Sequence, residues 1–94
     1  MNKARNFLAN AADRLDLPAD ILAGIPKMEM TGFREFSIEP HHGLVEYERE
    51  RIRIGTDMGK VLLSGMDMTI KLMNRNRITI KGALHSIQLQ EDHL

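Results

Sequence analysis

The sequence predicts a mainly β fold: a small antiparallel β-sandwich of about seven or eight strands, preceded by one amphipathic helix. Three observations carry this prediction. Apolar residues after Lys27 recur with a period of two, several of these runs close on glycine (EMTG at 29–32, LLSG at 62–65, TIKG at 79–82), and only the opening residues have a helical period. The chain divides accordingly into a helical leader at 1–26 and a β-sandwich domain at 27–94.

In the leader, residues 3–16 place Phe7, Leu8, Ala11, Ala12 and Leu15 on one side of a helix, with Lys3, Arg5, Asp13 and Arg14 over the remainder. Asn2 is suited to accept a hydrogen bond from a free amide of the first turn. Pro18 marks the stop, since it has no amide to donate and disfavours helix at Leu17. A shorter helical turn is expected from Pro18 to Ala23, with Gly24 just past its end. Ile25-Pro26 then extends the backbone into the strands.

The alternating residues of the β region are Met28 and Met30, Phe36 and Ile38, Val45 and Tyr47, Ile52 and Ile54, Val61 and Leu63, then Met68, Ile70 and Leu72, Ile78 and Ile80, and Ile87 and Leu89. A tight turn at Arg49-Glu50 sets Tyr47 against Ile52 and Val45 against Ile54 on the buried face. The solvent face then pairs Glu48 with Arg51 and Glu46 with Arg53, opposite charges that contribute about 0.2–1 kcal/mol per pair. Two-residue hairpin loops favour Gly or Asn, and this one has neither. Gly65-Met66 and Gly82-Ala83 have the right chemistry for type II′ turns. The first would bring Leu63 opposite Met68 and Val61 opposite Ile70, and the second Ile78 opposite Ile87. Unequal spacing of the glycine-closed segments makes a solenoid the minor alternative.

Composition narrows the function. Hydrophobic residues make up 43% and charged residues 28% of the 94, as in a globular domain with a thin core, and aromatics are scarce. Thirteen basic and thirteen acidic side chains cancel, so no long-range field attracts nucleic acid or anionic lipid. The absence of cysteine removes disulfides and thiolate metal sites. No run is long and apolar enough to span a bilayer and no secretion signal is evident, so a soluble, cytoplasmic protein is expected.

No residue pattern points to catalysis or a cofactor. His41 and His42 are adjacent on an extended chain and point to opposite sides, so they do not readily share a metal ion. His85 alternates with Ile87 on a face expected to be buried or half-buried, where a structural histidine is the ordinary case. Ser37, Ser64 and Ser86 lie in no nucleophile-elbow pattern, and Gly55, Gly59 and Gly65 form no phosphate-binding loop. The protein is therefore expected to be non-enzymatic, with no cofactor and no metal. Contact residues are the better candidates. Methionine suits adaptable surfaces, and Met58, Met66 and Met73 fall near expected turns, whereas Met28, Met30 and Met68 are expected to fill the core. The leader face of Phe7, Leu8 and Leu15 either covers the open side of the sandwich or docks on another protein.

The stretch from HHGLVEY at 41–47 through RIRIGTDMGKVLLSGMDMTI at 51–70 to RITIKGALHSIQL at 77–89 resembles the YabP/YqfC family of sporulation proteins from endospore-forming bacteria, nearest to its YqfC branch. His42, Gly43, Tyr47, Ile52, Ile54, Thr56, Gly59, Gly65, Ile70, Ile78, Ile80, Gly82 and Ile87 carry the resemblance, over about two thirds of the chain. It implies a β-sandwich protein of the mother cell with no catalytic residues to carry over. It also implies a membrane protein of the same pathway as partner, and a place at the forespore membrane or in a spore coat or envelope layer. Docking by strand addition, to a partner or to a second copy, is the mode this fold would favour.

Overall fold

The computed structural model describes residues 24–92, and every regular element in that range is a strand. These are β1 (Lys27–Thr31), β2 (Glu35–Glu39), β3 (Leu44–Tyr47), β4 (Arg51–Thr56), β5 (Gly59–Met73) and β6 (Ile78–Glu91). The expected helix at 3–16 and the helical turn at 18–23 lie outside the described residues. All six strands join one antiparallel sheet in the order β1-β2-β6-β5-β4-β3. The mainly β, antiparallel reading holds. The count of seven or eight strands is corrected to six, and two separate sheets are replaced by one.

Both differences have the same origin. Gly65-Met66 and Gly82-Ala83 are not hairpin turns but irregularities inside two long strands of 15 and 14 residues. The reversal that joins these strands is at 74–77, where the Asn74 side-chain oxygen accepts from the amides of Asn76 (2.8 Å) and Arg77 (2.7 Å) and the Asn74 amide donates to the Arg77 carbonyl at 2.9 Å. An asparagine that bonds its own turn competes well against a glycine that merely permits one. Val61 consequently meets Leu89 rather than Ile70, Leu63 meets Ile87 rather than Met68, and Ile78 meets Met73 rather than Ile87.

The pairing of β5 with β6 shifts register between Ser64 and Gly65, between Met66 and Thr69, and between Ile70 and Leu72. Such bulges bend a strand and sharpen its twist. Here the backbones touch: a Cβ on Gly82 would lie 2.7 Å from Met68 Cα, and one on Gly65 would collide with the Ala83 carbonyl oxygen. The bend rolls the sheet over a single core. Phe36 and Ile38 of β2 share one cluster with Ile52 and Ile54 of β4, together with Val61, Leu63, Met68, Ile78, Ile80 and Leu84. β6 and β5 stand between β2 and β4 in the sheet, so this one cluster is continuous across all four strands. Burying each large aliphatic side chain contributes about 1.5–3 kcal/mol.

The β3–β4 hairpin follows the predicted register over most of its length. Glu48 and Arg51 exchange backbone hydrogen bonds around Arg49-Glu50, Tyr47 faces Ile52, and Glu46 faces Arg53. The turn tolerates two residues of poor hairpin chemistry because its carbonyls are held from outside: Glu50 O accepts from Gly65 N (3.1 Å) and Arg49 O from Met68 N (2.9 Å). One detail is corrected. A bulge between Leu44 and Glu46 puts Leu44, not Val45, opposite Ile54, and leaves Val45 exposed. Tyr47, on the edge strand β3, is exposed as well.

The outer side of the β2–β6 pair holds a buried hydroxyl pair, Ser37 Oγ to Thr79 Oγ1 at 2.8 Å, directly opposite in register. Replacing one partner strands the other. Thr79→Val is expected to lower the unfolding free energy by about 1–2 kcal/mol. Adding Ser37→Ala should recover most of that loss, as read from the two urea midpoints. Around this pair, Arg77 binds Glu39 (2.7 Å) and Glu29 (3.3 Å), and Lys71 binds Glu35 (2.8 Å).

Candidate interaction surface

The histidines are occupied separately. His41 Nδ1 accepts from the Gly43 amide at 2.8 Å and its Nε2 donates to the Asn74 carbonyl at 2.8 Å, so the ring ties the β2–β3 connection to the β5–β6 turn. His42 Nε2 lies 2.7 Å from Asp57 Oδ1, with both side chains at least half exposed. His85 is exposed, which corrects the buried or half-buried placement expected for it. The bulges in β5 and β6 break the alternation on which that expectation rested. Among the described residues no group of three His, Cys, Asp or Glu is placed to hold a metal ion.

The contact candidates divide cleanly. Met58, Met66 and Met73 are 50%, 56% and 47% exposed, while Phe7, Leu8 and Leu15 lie outside the described residues. Met68 is fully buried, as expected. Met28 and Met30 are not, and this corrects their assignment to the core. They face Ile38 and Phe36 across the β1–β2 ladder, hence point to the core side, but at an edge strand beyond which, among the described residues, no further strand lies. Leu72, expected to alternate inward with Met68 and Ile70, is turned outward by the bulge after Ile70. Leu89 is the other residue that sequence reasoning missed. It follows Ile87 by two, yet it is exposed where the core opens to solvent.

These side chains form two apolar features. The first is a groove of about 310 Å³ at the open end of the core, lined by Pro26, Met28, Met58, Val61 and Leu89, with Lys60 and Glu91 on its polar side. Its floor is the turn between β4 and β5, where the Thr56 hydroxyl donates to Gly59 O (2.8 Å) and accepts from the Met58 amide (3.1 Å). The second lies along the far half of β5. β4 pairs with β5 only as far as Ser64, so among the described residues no strand lies along the side of Thr69–Met73 away from β6. Leu72 and Met73 are exposed on this stretch, and Met66 is exposed shortly before it. Unpaired backbone beside exposed apolar side chains is the arrangement used in strand-addition binding.

The described residues define a small all-β unit: one six-stranded antiparallel sheet with an apolar mouth at one end and an open strand segment on β5. The chain belongs to the YabP family, whose pattern matches residues 24–94. It is similar to a Bacillus subtilis (strain 168) protein that carries the name "Uncharacterized protein YqfC", with 26% identity over 90 residues, covering 96% of this chain and 94% of that one. No solved structure matches it. No helix among the described residues is long and apolar enough to cross a membrane.

The residues that carried the resemblance are mostly ones that shape the sheet. Gly43, Gly59 and Gly82 have φ of 104°, 140° and 149°, and Ile52, Ile54, Ile78 and Ile80 are fully buried.

Proposed function

We propose that this protein is a non-enzymatic interaction module of sporulation, made in the mother cell, where it docks on a membrane-bound partner at the forespore surface. Membership of the YabP family is consistent with a sporulation-related role. The observation that carries the docking reading is the open segment Thr69–Met73 of β5, with Leu72 and Met73 exposed beside unpaired backbone and Met66 exposed shortly before it. An extended partner segment would add there as a strand, its main chain supplying affinity and its apolar side chains meeting the methionines.

Affinity capture of the tagged full chain from sporulating cells with solubilised membranes tests this reading. A membrane protein should be enriched, and Met66→Lys with Met73→Lys should reduce its recovery about tenfold or more, a loss of roughly 1.4 kcal/mol, with the urea midpoint unchanged. Recovery of no membrane protein, or undiminished recovery by the lysine variant, would count against it.

A second reading is a self-assembling structural subunit of a spore coat or envelope layer. It is favoured by the open edges of the sheet among the described residues: β1 and β3 are its outer strands, every residue of β1 is exposed, and β5 is unpaired on one side over Thr69–Met73. Unlike edges that pair head to tail build a ring when the rotation between copies closes and an open filament when it does not. Sedimentation across a concentration series distinguishes the two, since a monomer at every concentration excludes assembly by the protein alone.

A further inference from the structure

We propose that the far half of β6, His85–Glu91, is an interface of its own, by which two copies of this chain pair antiparallel about a two-fold axis. β2 borders β6 only over Ile78–Lys81, whereas β5 follows it as far as Glu91. The β1–β2 turn takes over where β2 leaves off: the Arg34 carbonyl accepts from the Gly82 amide at 3.0 Å and the Phe33 carbonyl from the Leu84 amide at 2.8 Å. From His85 onward, no strand among the described residues lies on the side of β6 away from β5. That leaves a stretch of open backbone about 23 Å long.

This stretch is complementary to its own reverse. Centred on Gln88, the antiparallel register sets Ile87 opposite the second copy's Leu89, Ser86 opposite its Gln90, and the His85 imidazole opposite its Glu91 carboxylate, with each pair made twice. Neighbouring registers lose the match. Centred on Ile87, the pairing sets Leu89 against His85, and centred on Leu89 it sets Glu91 against Ile87. The faces agree as well: Ile87 and Leu89 lie opposite Leu63 and Val61, hence on the core side, while Ser86 and Gln88 are exposed on the other. Leu89 is 64% exposed and lines the groove with Met28 and Met58, so the second copy's Ile87, set beside it, would cover apolar surface that otherwise meets water. The other open stretches suit themselves less well. Paired with itself over its full length, β1 sets Glu29 against Glu29, and Thr69–Met73 of β5 sets Lys71 against Lys71. A pair through β6 closes at two copies and leaves Thr69–Met73 open, so capture of a membrane partner neither requires nor excludes it.

The chain has no cysteine, so a single introduced cysteine forms a disulfide only between two copies. Gln88→Cys in the full chain is compared under mild oxidation with Glu29→Cys and Met73→Cys, all at exposed positions. Across the axis Gln88 faces itself, with about 4.5–5.5 Å between Cα atoms, within reach of a disulfide. Gln88→Cys should form covalent dimer about tenfold or more faster than either control at equal protein concentration. Adding His85→Glu should slow it about fivefold by setting like charges opposite each other, and adding Glu91→Lys to that variant should restore the rate. Sedimentation of the parent chain should show a monomer–dimer equilibrium. Equal rates at the three cysteine positions, or a faster rate at Glu29 or Met73, would overturn the proposal, as would a parent chain that stays monomeric up to about 1 mM. A His85→Glu variant that crosslinks as fast as its parent would overturn the register.

Discussion

Replacing Gly82 with alanine is expected to lower the unfolding free energy by about 3 kcal/mol, a large share of the 5–15 kcal/mol typical of a domain. Two costs add. The backbone has φ of +149°, a conformation that L side chains rarely adopt, and the new Cβ would lie 2.7 Å from Met68 Cα and 2.8 Å from the Asp67 carbonyl oxygen. Those are main-chain atoms at the bend of β5, so relief requires the two long strands to separate where the sheet rolls. The measurement is the urea midpoint with an unchanged slope. Gly32→Ala is the control: its φ of +54° is also positive, but nothing lies within 4 Å of the added carbon, so the expected loss is only about 1 kcal/mol. Equal losses at the two glycines would mean that the strands do not meet at Gly82.

Phe36→Ala should cost about 4 kcal/mol, the range for deleting a buried aromatic side chain. Phe36 is 1% exposed on a central stretch of the sheet, paired with Ile80 on one side and Met30 on the other, and it shares its cluster with Ile52 and Ile54 of β4. The loss combines the transfer term with a cavity that well-packed aliphatic neighbours refill only in part. Phe33, three residues earlier in the β1–β2 turn, is 79% exposed, and Phe33→Ala should leave the midpoint within about 0.5 kcal/mol of the parent. A small effect at Phe36 would contradict the single rolled core.

The β3–β4 hairpin was legible because two independent signals agreed there. Alternating Ile52 and Ile54 demanded one face, and the charge pattern Glu46, Glu48, Arg51 and Arg53 demanded the matching register on the other. Only the bulge at Val45 escaped, since one extra residue in an edge strand leaves no compositional trace. β5 and β6 were read wrongly because glycine serves two purposes that look identical along a chain. It starts a type II′ turn, and it also lets two backbones touch at a bulge. The competing turn at Asn74 was marked by a residue that bonds its own loop, and that signal outweighed the glycines.

The contact surface was legible in part, for a similar reason. Met58 lies in a true turn and is exposed as expected, whereas Met66 is exposed because a bulge turns it out of the sheet. Met28, Met30 and Leu89 carry inward-facing periodicity, and whether such a residue is covered depends on what stands beyond it. Periodicity reports direction and not cover.

By itself the sequence determined the strand content, the antiparallel pairing, one hairpin register and the apolar identity of the core, because side-chain alternation and local charge act over a few residues. Only the tertiary structure decided which glycines bend strands, that one sheet rolls in place of two that stack, and where the core opens into a groove. Those outcomes depend on contacts between backbones far apart in the chain, such as Gly82 on Met68 and Gly65 on Ala83, which no local pattern records.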